Sequence, residues 1–232
     1  CSSILKCNQG QVASPLMSAE AIAEAQVSAP EAPPLFFFGL PGAGKTHCAR
    51  LMAQHLGYVS HDGDAWLPED LHASLRKGKG FTTEQRDRFA AVIAERIAET
   101  KADESQRGDC ARPLAIAQAT FKRRHRDIIR AAHPDVVFVW VRADDVRLTR
   151  LAVGGNLVDP ELGRRMALDF QPPQDDEAGL VPIVENGESV DDSGLLQQLR
   201  ALVRGAGTAG AVNARIGHVR ATSQPVLETE NI

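Results

Sequence analysis

The chain has 232 residues, of which 43% are hydrophobic and 24% are charged, and its formal net charge is −4. This acidic balance argues against a general nucleic-acid binder, because such proteins usually carry a basic excess. No apolar run approaches the roughly 18–20 residues that a membrane span needs. The composition is that of an ordinary soluble globular protein, with neither nucleic acid nor membrane as an expected partner.

The chain begins with a segment of biased composition. Residues 1–33 are rich in Ala, Ser, Glu, Gln and Pro, which predicts a flexible leader. They lack the basic start and long apolar core of a secretory signal, so a cytoplasmic protein is expected and an organelle-targeting remnant stays open. The predicted domain covers residues 34–204, and residues 205–232 have the composition of a disordered tail. The four cysteines have no metal-ligand spacing, which favours free thiols over a disulfide between Cys1 and Cys7.

Short apolar runs alternate with segments of helical periodicity after the leader. The predicted strands are Leu35–Phe38, Tyr58–His61, Pro113–Ala117, Val136–Val141 and Leu180–Val184. The predicted helices are Thr46–Leu56, Pro68–Lys77, Thr82–Thr100, Phe121–Ala131, Asp144–Leu151, Glu161–Phe170 and Asp191–Val203, with a polar loop at 101–111. Strands that alternate with helices predict an α/β fold with a doubly wound, parallel, five-stranded sheet.

The turn after the first predicted strand matches the phosphate-binding P-loop (Walker A) motif GxxxxGK[ST] in full and precedes a predicted helix. Its glycines let backbone N–H groups turn towards phosphate oxygens, and the helix N-terminus faces the same oxygens. The lysine adds a charge on the β- and γ-phosphates, and the threonine hydroxyl can ligate Mg²⁺. The motif therefore predicts ATP and Mg²⁺ binding through Gly39, Leu40, Pro41, Gly42, Ala43, Gly44, Lys45 and Thr46.

Further motifs distinguish this chain from GTPases and motor ATPases. The third strand ends in Ala117-Gln118-Ala119 without a carboxylate, whereas the second ends in Asp62-Gly63-Asp64. Two downstream segments are rich in basic residues, and a short lid-like loop precedes the last motif. With the P-loop, these features resemble the gluconate kinase-like group, which is related to shikimate kinases within the adenylate-kinase-like fold. The motifs that carry the resemblance are Asp62-Gly63-Asp64, Gly78 to Arg88, Gln118 to Asp127 and Phe170-Gln171-Pro172-Pro173.

The resemblance implies an ATP-dependent small-molecule kinase, a transferase of carbohydrate metabolism whose likeliest acceptor is a sugar acid such as gluconate. It implies that Asp62 holds a magnesium-bound water and that Asp64 accepts or orients the proton of the substrate hydroxyl. Family members are often homodimers. The resemblance further assigns the substrate's anionic end to Arg86, Lys122 and Arg126, and contacts with ATP from the lid to Arg147 and Arg150.

The chain departs from the family pattern at polyol-contacting positions, where it has Leu67, Leu71 and Ala119. Shikimate, a nucleoside monophosphate or another small acceptor is therefore an alternative substrate. The lid carries fewer basic residues than family lids, so a nucleotide-binding regulatory domain with little catalysis is a second alternative. His125, within the basic segment, is interpreted as a packing or surface residue.

Overall fold

A central parallel sheet organises the protein. The computed structural model describes residues 32–120, 122–144, 165–174, 176–177 and 181–208. The five strands all run parallel in the order β2-β3-β1-β4-β5, which confirms the predicted fold class. They are β1 (Leu35–Phe38), β2 (Val59–Asp62), β3 (Leu114–Ala117), β4 (Val137–Arg142) and β5 (Ile183–Glu185).

Helices cover both faces of the sheet. Alternate residues of β1 supply both cores: Leu35 and Phe37 pack in one cluster with Met52 and Leu199, while Phe36 and Phe38 pack in the other with residues such as Ile93 and Ile129. Because β1 is buried on both faces, its sequence is continuously apolar. Within the described ranges, the α-helices of eight or more residues are α1 (Lys45–His55), α2 (Glu69–Arg76), α3 (Thr83–Ser105), α4 (Arg123–Ala132) and α5 (Asp192–Thr208).

The start of α3 is fixed by Thr82, which is the N-cap of the helix. Thr82 Oγ1 accepts a hydrogen bond from Gln85 N at 3.3 Å, and Thr82 N donates to Gln85 Oε1 at 2.9 Å. These reciprocal bonds form a capping box, which satisfies two backbone donors at the helix start. The cap therefore fixes where α3 begins. It thereby fixes the direction in which the Arg86 side chain, in the first turn, points away from the helix.

Some element boundaries differ from the sequence prediction. The predicted polar loop at 101–111 is wrong, because α3 continues to Ser105 and a 3-10 helix spans Gly108–Cys110. Glu104 is only 8% exposed, and its carboxylate accepts from Arg112 N at 3.2 Å and lies 3.3 Å from Arg107 Nε. Because the buried carboxylate of Glu104 has these partners, the polar sequence can form the last turn of the helix without leaving a buried charge unpaired.

The C-terminal helix is also longer than predicted, since α5 extends to Thr208 and so passes the proposed domain boundary at residue 204. The helix predicted at Asp144–Leu151 lies almost wholly outside the described residues. Of the helix predicted at Glu161–Phe170, residues 165–170 are described, and 165–168 of these are helical. Among the described helices, none combines the length and apolarity needed to cross a bilayer.

Candidate active site

The carboxyl ends of three neighbouring strands bring the predicted site residues together. The P-loop follows β1, Asp62 is the last residue of β2, and Gln118 directly follows β3. In the sheet, Ala117 of β3 pairs with Phe37 on one side and Asp62 on the other. Ligands of open α/β sheets bind outside this edge. The fold thus places the phosphate loop, Asp62 and the residues beside them around one cleft.

The P-loop has a conformation that suits a phosphate group. Gly39, Gly42 and Gly44 have φ angles of 143°, 82° and 92°, a region that residues with a Cβ rarely adopt. No side-chain hydrogen bond caps the start of α1 at Gly44, and the first N–H groups of a helix lack partners within it, so they suit a bound phosphate. Lys45 Nζ donates to Leu40 O at 2.7 Å, which holds the ammonium group over the loop.

Two oxygen-bearing side chains that suit Mg²⁺ lie together in the cleft, Thr46 at the end of the P-loop and Asp62 at the end of β2. Thr46 Oγ1 donates to Asp62 Oδ2 at 3.3 Å, while Asp62 Oδ1 accepts from Asp64 N at 3.1 Å. Mg²⁺ in phosphate-transfer sites is usually bound through one or two protein oxygens, phosphate oxygens and waters. The pair therefore fits a magnesium site that is completed by a nucleotide.

Asp64 is held by a chain of side-chain hydrogen bonds. Gln118 Nε2 donates to Asp64 Oδ1 at 3.3 Å, and Thr120 Oγ1 donates to Gln118 Oε1 at 2.7 Å. Because an ionised carboxylate only accepts hydrogen bonds, the amide nitrogen of Gln118 must face Asp64, and the amide oxygen is left to accept from the threonine hydroxyl. A Cβ at Gly63 would lie 2.7 Å from Gln118 Cγ, so glycine permits this close approach. The sequence motifs contained Gln118 and Thr120 but did not reveal this orienting role.

Burial shifts the pKa values of the two charged groups at the centre of the site, Lys45 and Asp64, in opposite directions. Burial lowers the pKa of Lys45 to about 8, although the carboxylates of Asp64 and Asp62 oppose the change. Burial raises the pKa of Asp64, with Lys45 opposing and Asp62 adding to the rise. Perturbed pKa values of this kind are concentrated at functional sites. Lys45 and Asp64 both line the cleft and carry opposite charges. A phosphate that binds beside them would change the electrostatic environment of both groups.

The pKa of Lys45 predicts how nucleotide affinity depends on pH. Since the protonated ammonium group attracts phosphate, affinity should be highest below the pKa of about 8 and should fall as pH rises through it. Between pH 7 and pH 9 the protonated fraction falls about tenfold, so the Kd for Mg·ATP should rise about tenfold. Titrations of wild type and Lys45→Arg test this, because arginine stays charged throughout; parallel pH profiles would contradict it.

A buried asparagine supports the P-loop from behind. Asn186 directly follows β5, is 0% exposed and donates from Nδ2 to Ala43 O at 2.7 Å. A Cβ at Gly44 would lie 2.1 Å from the same nitrogen, so the amide packs directly against the loop. No sequence motif pointed to Asn186, although its position after a strand, at the same end of the sheet as the P-loop, was a usable signal.

Replacing Asn186 by alanine should loosen the loop and weaken ATP binding. The Ala43 carbonyl would lose its buried partner, which costs about 1–3 kcal/mol of the free energy of unfolding. Urea denaturation measures this loss, and titration with ATP measures the accompanying rise in Kd. An unchanged urea midpoint together with an unchanged Kd would contradict the supporting role.

The cleft has a volume of about 570 Å³, and more than half of the predicted site residues line it. It is lined by Pro41, Gly42, Gly44, Lys45, Thr46, Asp62, Asp64 and Arg86, among others. His125, interpreted from sequence as a packing or surface residue, also lines it, with Nε2 3.4 Å from Asp87 Oδ1. Burial lowers the pKa of His125 to about 4 even though Asp87 favours its charged form, so the imidazole is neutral at pH 7.

Two of the three predicted anion-binding residues lie close together. Arg86 Nη2 is 3.9 Å from Asp169 Oδ2, and Lys122 Nζ is 3.5 Å from the same oxygen. The Arg86 side chain is 15% exposed and donates from Nε to Phe81 O at 3.0 Å. Both cations therefore already face a carboxylate, which is the kind of group that an acidic substrate would present.

Arg126, the third predicted anion-binding residue, lies elsewhere. Its side chain is 0% exposed and donates from Nε and Nη2 to the buried Glu177 at 2.6 and 2.7 Å. The guanidinium also lies 4.7 Å from the Phe38 ring centroid. Burial alone would raise the pKa of Glu177, but Arg126 and Arg130 together hold it below its usual value. The structure thus does not bring Arg126 into the cleft. Arg147 and Arg150, predicted to contact ATP, lie outside the described residues.

Comparison with known proteins shows the fold. No protein-family model matches the chain, and no curated protein matches it in sequence. The chain is similar to the unliganded structure of a sugar kinase from Janibacter sp., with a TM-score of 0.62, 18% identity, and coverage of 78% of this chain and 99% of that one. It is similar also to a gluconokinase from Sinorhizobium meliloti, with a TM-score of 0.57, 21% identity, and coverage of 75% and 94%. The chain therefore has a P-loop kinase-like fold.

Proposed function

We propose that the protein is a Mg²⁺- and ATP-dependent kinase that transfers the γ-phosphate of ATP to a hydroxyl of a small metabolite. The observation that carries the proposal is that the P-loop, Lys45 and the oriented carboxylate of Asp64 line one cleft. Phosphoryl transfer depends mainly on positioning and charge neutralisation, and this arrangement supplies both. The sugar kinase and gluconokinase that share the fold support the same reaction class.

The residues divide into a nucleotide side and an acceptor side. The P-loop N–H groups and Lys45 would bind the β- and γ-phosphates, and we propose that Arg147 and Arg150 complete the nucleotide contacts. Thr46 and Asp62 would hold Mg²⁺, which supplies charge neutralisation at the phosphates when bound. On the acceptor side, we propose that Arg86 and Lys122 bind an anionic group of the substrate.

Asp64 would act as the proton acceptor for the substrate hydroxyl. As the hydroxyl oxygen forms its bond to the γ-phosphorus, its proton passes to the Asp64 carboxylate and the bond to the β-phosphate oxygen breaks, releasing ADP. The donation from Gln118 holds Asp64 Oδ1, so the other carboxylate oxygen remains for the acceptor. The raised pKa of Asp64 makes this carboxylate a stronger base than an exposed aspartate.

The acceptor proposed from the resemblance is a sugar acid such as gluconate, and the expected compartment is the cytoplasm. Shikimate, nucleoside monophosphates and other small acceptors are the alternatives. The test is ADP release from Mg·ATP by the purified protein with each acceptor in turn, using Lys45→Ala as the blank. Acceptor-dependent release that Lys45→Ala lacks would support the kinase. ATP binding without stimulation by any acceptor would instead favour a regulatory nucleotide-binding domain.

A further inference from the structure

One wall of the cleft, beyond Asp64, is apolar. It is built by one face of α3 together with residues from α2, from the loops that flank α2 and from helical residues 165–168. Phe89 and Ile93 of α3 are 5% and 1% exposed, so they form a closed floor. The side chains of this apolar wall are Leu67, Leu75, Phe81, Phe89, Ile93 and Met166.

A cationic group lies at one end of the apolar wall. Arg86, Phe89 and Ile93 are spaced three, then four residues apart, so they lie on one face of α3. Arg86 is in the first turn and Ile93 lies about 10 Å further along the axis. The 3-10 helix that carries Asp64 contacts α3 as well. Arg86, Asp64 and this face of α3 thus line the same cleft, which offers a small molecule both a cation and a carboxylate.

The six side chains of this apolar wall carry no hydrogen-bond donor, and the thioether of Met166 is only a weak acceptor. Among the described residues near it, Arg86 uses Nε for the Phe81 carbonyl, and His125 lies 3.4 Å from Asp87 through Nε2. Gln118 donates to Asp64 and accepts from Thr120. A polyol chain would therefore leave several hydroxyls against apolar carbon, where a hydroxyl that loses water without gaining a partner is costly.

We propose, on the basis of the proposed kinase function, that the acceptor is a hydroxy acid with an apolar body, a hydrocarbon chain or ring, and not a polyol. Its carboxylate binds Arg86, its body lies on the apolar wall and its hydroxyl reaches Asp64. Recognition then comes from a few polar contacts at the two ends and from burial of the body between them, as in most small-molecule sites.

A matched pair of acceptors tests this inference directly. Gluconate and 6-hydroxyhexanoate share a six-carbon chain, a carboxylate and a terminal hydroxyl, and differ only in the secondary hydroxyls. Calorimetric titration of the ADP-loaded protein should show that 6-hydroxyhexanoate binds at least about tenfold more tightly, since even one unmatched buried hydroxyl costs about that factor. Its binding should also have a negative heat-capacity change, the signature of apolar burial.

Two substitutions on α3 locate the binding. Arg86→Gln should weaken 6-hydroxyhexanoate binding about tenfold or more, because it removes the charge that meets the carboxylate. Arg88→Gln is the matched control, since Arg88 is exposed and pairs with Asp70 outside the cleft; it should leave the affinity unchanged. Equal or tighter binding of gluconate, no binding of 6-hydroxyhexanoate at millimolar concentration, or equal effects of the two substitutions would overturn the inference.

The same two acceptors separate this inference from the kinase proposal. If 6-hydroxyhexanoate binds more tightly than gluconate but receives no phosphate, the preference of the cleft for an apolar hydroxy acid stands and the kinase proposal fails. If gluconate binds more tightly and is phosphorylated, the kinase proposal stands and the apolar-acceptor inference fails.

Discussion

Replacing Asp64 by asparagine is expected to lower kcat by about 10²- to 10⁴-fold, the usual contribution of a positioned general base. Asparagine has nearly the same shape but cannot accept the proton of the acceptor hydroxyl. Binding of Mg·ATP should persist, since the P-loop and Lys45 are unchanged. A large loss of kcat without loss of nucleotide binding would assign Asp64 to the chemical step.

The pH profile gives this prediction a second readout. Because burial raises the pKa of Asp64, the acid limb of kcat should lie above the usual carboxylate range, with activity lost as pH falls through the raised pKa. Asp64→Asn should remove that limb from its residual activity. Asp70→Asn, at an exposed acid on α2, is the control and should behave as wild type. An Asp64→Asn variant that kept a tenth or more of wild-type kcat would contradict the assignment.

The second large effect is expected on stability, at the buried pair of Arg126 and Glu177. Glu177→Gln keeps the shape of the side chain but removes the charge that compensates a fully buried guanidinium. Breaking such a pair from one side costs about 3–5 kcal/mol of the free energy of unfolding. Urea or thermal denaturation measures the loss.

The neighbouring residue provides the control for this pair. Asp176 is exposed and pairs with Arg123, and Asp176→Asn should leave the denaturation midpoint unchanged because surface pairs contribute little. The double variant Arg126→Met with Glu177→Leu should recover part of the stability, since neither charge is then left alone. If Glu177→Gln were as stable as Asp176→Asn, the pair would have no structural importance.

The sequence predicted the parts of the site that local patterns encode. The apolar run of β1 and the glycine turn after it specify a strand, a phosphate loop and a helix within a short segment, because each residue type suits its own backbone conformation. Asp62 and Asp64 were proposed as site residues because they follow a predicted strand and belong to a motif of the resemblance. The parallel direction of the strands followed from their alternation with helices, whereas their order in the sheet was not predicted.

Pairings between distant segments could not be predicted in this way. Arg126 and Lys122 belong to one basic segment and look alike in sequence, yet Arg126 is buried against Glu177 while Lys122 approaches Asp169. Similarly, the bond between Gln118 and Asp64 joins residues that are 54 positions apart. Only the tertiary packing decides which side chain of a helix meets which partner. The sequence alone therefore could not distinguish a basic residue that is buried in an ion pair from one that contacts a substrate.

The most direct test of the account follows the fate of an isotope-labelled γ-phosphate. Wild type and Lys45→Ala would be incubated with labelled Mg·ATP and 6-hydroxyhexanoate or gluconate, and the products identified by mass spectrometry. The account predicts that the label appears as a phosphate ester of a hydroxy acid, and only with wild type. Label found solely in inorganic phosphate, or ester formed equally by Lys45→Ala, would contradict a kinase that works through this cleft.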